Sequence, residues 1–181
     1  MRTPIRLLFL LAALPAISTA AEAAHQGDRN AQALCSLHAP AMPTGEAATK
    51  ALAANQASVK FPADGKFLGD WKRGQAIAEE GTGFQYSDDP AKPSGGNCYA
   101  CHQLDKQQIA YGTIGPSLHN YGKNRGQSEP VLKLAWSMIN DMKGYSLCSA
   151  MPRFGAKGVL TEQQIKDVMA LLFDPASPVN Q

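Results

Sequence analysis

The stretch Cys98-Tyr99-Ala100-Cys101-His102 decides how the rest of this sequence is interpreted. It has the C-x-x-C-H spacing in which two thiols add to the vinyl groups of a haem and the adjacent imidazole reaches the iron. On one helical turn Cys98 and Cys101 lie on the same face, and His102 follows so that its ring can stand under the metal. The spacing therefore predicts one covalently attached haem c.

Two other uses of such a cysteine pair are a thioredoxin-like redox site and half of a zinc site. A zinc site of that kind needs a second C-x-x-C pair, which the sequence lacks. A thioredoxin-like site lies in a βαβ unit, and the segments around residues 98–102 show no strand pattern. Both interpretations are weaker than haem attachment.

A second iron ligand decides whether the iron passes electrons or reacts with a small molecule. The candidates after the motif are one histidine and four methionines, namely His119, Met138, Met142, Met151 and Met169. Met138 and Met169 have the helical spacing of core residues, and Met142 lies at a helix end. Met151 lies in an irregular stretch and is followed by proline, which lowers the cost of ordering the loop. We therefore expect Met151 to be the ligand, with His119 as the alternative.

A thioether ligand favours reduced iron, so a histidine and methionine pair raises the reduction potential relative to two nitrogen ligands. Iron held in this way has six ligands and passes single electrons. A haem catalyst or gas sensor needs an open iron position instead. The residues thus predict an electron-transfer protein.

Residues 1–23 have the pattern of a cleaved secretory signal, with cleavage after Ala20 or Ala23 equally compatible. Two arginines precede an apolar run over residues 7–17, and small residues follow it. The run is shorter than the roughly 20 residues that span a bilayer, so we expect no membrane anchor. Export together with haem attachment predicts a periplasmic protein.

After removal of the signal about 160 residues remain, which is typical of a single domain. Residues 24–63 are rich in Ala, Gln and Asn and predict an N-terminal extension with some helix near 46–57, and residues 64–181 predict the haem domain. The formal net charge is +2 for the whole chain, and no basic block occurs. Nucleic acid is therefore not an expected partner.

Apolar residues at helical spacing predict three helices in the haem domain, near 67–81, 130–144 and from 161 onward. Ser128 can cap the second helix, and Thr161 with Gln164 has the spacing of a capping box for the third. The glycine-rich segment 111–125 predicts an irregular loop. No strand pattern is present, so the predicted fold class is all-α.

Cys35 and Cys148 remain after the haem motif has taken two of the four cysteines. An even pair in an exported chain is usually bonded, so we expect a disulfide between them. It would tie the N-terminal extension to the loop that carries Met151. Free thiols, or a functional Cys148 near the haem edge, are the alternatives.

With these motifs in place, residues 67–174 resemble the class I cytochrome c fold. In that family the proline of a Gly-Pro-x-Leu segment supplies a backbone carbonyl that orients the proximal histidine. Here the resemblance implies that Pro116, in Gly115-Pro116-Ser117-Leu118, orients the ring of His102. It also implies that the first and last helices of the domain pack together, around Trp71, Val168 and Leu172.

The residues of the motifs at 96–102, 111–118, 121–122 and 151–155 further resemble those of the SoxX family of mono-haem subunits. The resemblance implies a heterodimer with a SoxA subunit, which carries the catalytic haem. That SoxAX enzyme, of the L-cysteine S-thiosulfotransferase type, couples thiosulfate to a cysteine of the SoxYZ carrier. The SoxX-like chain would take up the electrons and pass them to a small soluble cytochrome c. A free periplasmic electron shuttle is the alternative.

Overall fold

The structure is a computed structural model that describes residues 29–37, 41–83 and 85–181. Within these ranges the regular elements are helical and no strand occurs, which confirms the predicted all-α class. The helices are α1 (29–37), α2 (Glu46–Ser58), α3 (Trp71–Glu79), α4 (Tyr121–Arg125), α5 (Glu129–Asp141) and α6 (Glu162–Phe173). Short 3₁₀ helices lie at Cys98–Ala100, Met142–Gly144 and Pro178–Asn180. The predicted signal peptide lies outside the described residues.

Helices α3 and α6 cross in close contact with each other. Gly74 of α3 lies so close to α6 that an added Cβ atom would be 2.0 Å from the carbonyl oxygen of Asp167. Only glycine allows this approach, because it has no side chain to displace. The packing of first and last helices implied by the resemblance is therefore present, with Gly74 rather than the half-buried Trp71 at the crossing point.

Helix α3 begins at Trp71, four residues later than the sequence predicted. The Asp70 carboxylate accepts hydrogen bonds from the backbone N–H groups of Lys72 and Arg73, at 2.8 and 3.2 Å, and so caps the helix. Phe67 precedes the helix and packs edge-on against Trp136, with ring centroids 5.8 Å apart. The apolar residues at 67 and 68 therefore belong to the core but not to the helix.

The two C-terminal helices follow the sequence pattern closely. The capping box of α6 is complete, since Thr161 and Gln164 each bond the other's backbone N–H group. All residues of α6 from 165 to 173 are buried, which makes it the central helix of the core. Helix α5 follows Ser128 as predicted, but the Ser128 side chain makes no capping hydrogen bond.

The prediction of a loop throughout 111–125 is wrong at its end, where Tyr121–Arg125 forms α4. A Cβ atom on Gly122 would lie 2.6 Å from the Cα atom of Phe173, so the glycine lets α4 sit directly on the end of α6. Tyr121 packs edge-on against the Phe173 ring at 5.3 Å. Glycine here serves close helix packing, which a local pattern does not distinguish from a loop.

The N-terminal extension packs against the haem domain. Helices α1 and α2 and the segment before residue 151 share a small apolar cluster built on Ala31, Ala48 and Leu147. Cys35 and Cys148 are joined by a disulfide, with their Cα atoms 5.5 Å apart. The helix expected near 46–57 is α2, while the division of the chain at residue 63 stays a prediction.

In the part of the chain that the structure describes, none of the helices combines the length and the apolar character needed to cross a membrane.

Candidate haem site

The C-x-x-C-H motif forms a single tight turn. Cys98–Ala100 is a 3₁₀ helix, and the N–H groups of Cys101 and His102 both donate to the carbonyl of Cys98, at 3.1 and 2.9 Å. The preceding Asn97 has a left-handed backbone, with φ of 45°, and its N–H group donates to Glu80 at the end of α3. Helix α3 thereby fixes the position from which Cys98, Cys101 and His102 are presented.

The ring of His102 is held from behind by the segment that follows it. Its Nδ1 atom lies 2.7 Å from the carbonyl oxygen of Pro116. A carbonyl can only accept, so Nδ1 carries the proton and Nε2 keeps its lone pair for a metal. Gly115 makes this possible, because a Cβ atom there would lie 2.2 Å from Cε1 of the ring.

A glycine-rich loop wraps the turn. The N–H groups of Gly112 and Gly115 donate to the carbonyls of Tyr99 and Cys101, both at 2.9 Å. A Cβ atom on Gly112 would lie 1.7 Å from the carbonyl oxygen of Ala100. The sequence analysis missed the role of Gly112, although three glycines or prolines within residues 112–116 signal close backbone contact.

One partly open cavity brings together Cys98, His102 and Met151. The other lining residues are all apolar: Ala78, Leu104, Leu118, Ile139, Phe154, Leu160, Val168, Leu171 and Leu172. An apolar cavity with an imidazole, a thioether and an attachment thiol at its wall has the donor set that haem c requires. The residues present therefore fit the group that the motif implies.

Of the five ligand candidates that follow the motif, Met151 is the one that lines this cavity, which His102 also lines. Met169 is fully buried in the main core, as its helical spacing predicts. His119 has its Nε2 atom 3.0 Å from the side-chain nitrogen of Asn120 and does not line the cavity. Met151, and not His119, thus lies at the wall of the cavity that His102 also lines.

Residues 72–173 match the family model of cytochrome c, and this segment includes the turn, Pro116 and Met151. The chain belongs to the cytochrome c family. A relative in Aquifex aeolicus (strain VF5), described as an uncharacterized lipoprotein, is 39% identical over 153 residues, which cover 83% of this chain and 71% of that protein. The protein is accordingly a haem c protein that acts in electron transfer, and cytochrome c domains are typically exported.

The thiol chemistry of this cytochrome differs from that of a redox cysteine pair. Burial raises the pKa of the Cys98 thiol to about 12, and the neighbouring Cys101 adds to the shift. Catalytic disulfide exchange needs a lowered pKa, since the thiolate is the nucleophile. No group of three or more His, Cys, Asp or Glu side chains suited to a metal ion occurs within residues 29–37, 41–83 and 85–181. The raised pKa of Cys98 therefore argues against the thioredoxin-like interpretation.

Bound haem would supply an iron that exchanges single electrons. The residues of this cytochrome set the orientation of the His102 ring and the polarity around the haem. Pro116 fixes the tautomer and orientation of the His102 ring. The apolar lining excludes water and lowers the local dielectric, which favours the less charged reduced state. The fold thus keeps the His102 ring in one orientation at the wall of an apolar cavity.

The segment after Met151 is supported by polar residues that the sequence analysis missed. Arg153 is bound to the buried carboxylate of Asp141 at the end of α5. The N–H groups of Gly155 and Ala156 both donate to the carbonyl of Asn140, at 3.1 and 3.0 Å. An Asn-Asp pair that closes an apolar helix, with an arginine twelve residues later, was the available signal.

Proposed function

We propose that this cytochrome is the electron-transfer subunit of a periplasmic SoxAX complex. Its SoxA partner would carry the catalytic haem and couple thiosulfate to the cysteine of the SoxYZ carrier. This chain would accept the released electrons and pass them to a small soluble cytochrome c. Cys98 and Cys101 would attach the haem, and His102 and Met151 would bind its iron.

The observation that carries the proposal is an exposed apolar loop beside the haem turn. In residues 109–114, here called the collar loop, Ile109 is fully exposed and Ile114 is 79% exposed. The N–H group of Gly112, within the loop, and that of Gly115, directly after it, donate hydrogen bonds to carbonyls of the haem turn. Large apolar side chains exposed within one short loop favour a protein interface there. The site of contact would therefore lie next to the attached haem.

The collar loop and the charge favour a permanent partner over a free shuttle. A shuttle docks briefly through a small, wet surface and gains speed from charge steering. This chain has a formal net charge of only +2, so steering by net charge is weak. Because Ile109 and Ile114 are exposed beside the haem turn, where an electron-transfer partner would dock, their exposure favours lasting burial against a second subunit.

Export supports the periplasmic location in this proposal. Residues 1–23 have the signal pattern, and the relative in Aquifex aeolicus is described as a lipoprotein.

The test is purification of the full-length chain from the periplasm of its native host grown on thiosulfate. We expect a second haem protein to co-purify in equal amount, and Ile114→Asp to weaken that association by more than about tenfold. Leu37→Asp is the matched control, because Leu37 is equally exposed, at 80%, but lies on α1. Recovery of a monomer, or equal behaviour of the two variants, would favour the free shuttle and contradict the proposal.

A further inference from the structure

The loop that carries Met151 is fixed on both sides. Three residues before it, Cys148 is joined by the disulfide to Cys35 of α1. Two residues after it, Arg153 is bound to Asp141. A neutral thioether is a weak acceptor, so a loop that offers one to a metal gains little ordering from the bond itself. Its position must come from the protein around it.

The contact between Arg153 and Asp141 is a forked, buried ion pair. Nε of Arg153 donates to Oδ1 of Asp141 at 2.8 Å, and a terminal amino group of the same guanidinium donates to Oδ2. The Asp141 side chain is 0% exposed and that of Arg153 is 11% exposed. Two parallel charge-assisted hydrogen bonds fix direction as well as distance. This pair can therefore fix both the position and the orientation of the chain at residue 153.

The same carboxylate also organises the chain before Met151. Oδ1 of Asp141 accepts the N–H group of Lys143 at 3.0 Å and so caps the 3₁₀ helix Met142–Gly144, which leads towards Cys148. One buried side chain thereby contacts the segments on both sides of the loop. Its removal would loosen the two together.

The N-terminal extension reaches the pair through Asn55 of α2. Oδ1 of Asn55 accepts a hydrogen bond from Arg153 at 3.3 Å, and its Nδ2 donates to the carbonyl of Lys143 at 3.5 Å. Gly144 lies against the backbone of α2 at the same place, with its nearest α2 atom 3.1 Å from an added Cβ. The extension thus helps to enclose the ion pair.

We propose that Asp141 is a positioning residue for the iron ligand, which holds the Met151 loop closed through Arg153 with support from Asn55. The inference rests on the proposed role of Met151 as ligand. In this proposal the Asp141 carboxylate makes the Met151 thioether leave the iron less often, in addition to its effect on the stability of the fold.

The test compares ferric holoprotein of the wild type with Asp141→Asn and with a matched control, Asp167→Asn. Asp167 is a second buried carboxylate, 3% exposed, forked by Arg73 with bonds of 2.8 and 3.0 Å, but it lies on α6 away from the loop. Added imidazole binds the iron only when Met151 has left it, so its affinity reports loop opening. We expect about a tenfold increase in imidazole affinity for Asp141→Asn and less than about a twofold change for Asp167→Asn.

Equal imidazole affinity in the two variants would overturn the inference, even if both unfold more easily. A wild type without the far-red absorption band of iron(III)–methionine bonding would instead overturn the ligand assignment, and with it the inference. If Asp141→Asn does not accumulate, Arg153→Lys retains the charge but not the fork, and we expect a severalfold increase in affinity. No change in Arg153→Lys would contradict the proposal.

Discussion

The two sides of the haem site are built in different ways. On the His102 side the supports are close along the chain, since Pro116 is 14 residues from His102. On the Met151 side Asp141 is 12 residues from Arg153, but two further supports come from far away, with Asn55 98 residues from Arg153 and Cys35 113 residues from Cys148. Local contacts survive partial unfolding better than distant ones. The comparison indicates that the proximal half is the durable part of the site and the distal half the labile part.

The largest effect should follow from Gly115→Ala, which breaks the durable half. The new Cβ atom would lie 2.2, 2.5 and 2.7 Å from three atoms of the His102 ring, so the ring would have to leave Pro116. We expect the yield of holoprotein to fall more than about tenfold, since the proximal ligand is no longer oriented. The measurement is haem content per purified chain.

Gly81→Ala is the control for that variant, because its new Cβ atom would have no neighbour closer than 3.5 Å. It should give the wild-type yield. Normal haem content in Gly115→Ala would show that the local supports of His102 are dispensable.

The next largest effect should come from replacing both Cys35 and Cys148 by serine. A disulfide that closes a loop of this length contributes up to about 4 to 5 kcal/mol in the chain-entropy model. We expect the iron–methionine band to disappear at lower urea concentration than the helical circular dichroism signal, because the distal half loses its distant support. Coincident transitions at the wild-type midpoint would contradict the comparison.

The same contrast explains what the sequence could predict. The turn at 98–102, the capping box at Thr161 and the role of Pro116 depend on spacing within one segment, so a local pattern or a family resemblance was sufficient. The contact of Asn55 with Arg153 and the crossing at Gly74 depend on which distant segments meet. No periodicity encodes those meetings, so the packing of α4 on α6 and the contact of Asn55 with Arg153 were missed, whereas the disulfide was predicted from the even number of cysteines.

A smaller effect is expected from acid, through the scaffold that both halves share. Burial raises the pKa of Asp167, but the hydrogen bonds from Arg73, the backbone of Asp70 and Gln163 prevail, and the pKa lies below its ordinary value. A carboxyl with a lowered folded pKa stabilises the fold above its unfolded pKa, about 3.9, and this contribution is lost as the pH falls through the folded value.

Urea midpoints of wild type and Asp167→Asn should therefore differ most near neutral pH and converge below about pH 4. Both signals, the iron–methionine band and the helical circular dichroism, should shift together in this variant. A difference in urea midpoint that increases as the pH falls would contradict this prediction.

The smallest effect is expected from Thr161→Ala, which removes the side-chain cap of α6. Loss of an N-cap hydrogen bond costs about 1 kcal/mol. Ser128→Ala is the matched control, since Ser128 occupies the same position at α5 without a capping bond and should change stability by less than about 0.5 kcal/mol. Equal losses in the two variants would show that the cap geometry does not matter here.

The central claim is that this cytochrome holds its iron between His102 and Met151. The most direct measurement is the far-red absorption of the ferric protein for the wild type, Met151→Ala and the control Met142→Leu. We predict a band in the wild type and in Met142→Leu, and its loss in Met151→Ala while the haem stays attached to the chain. A band that persists in Met151→Ala, or is absent from the wild type, would contradict the account.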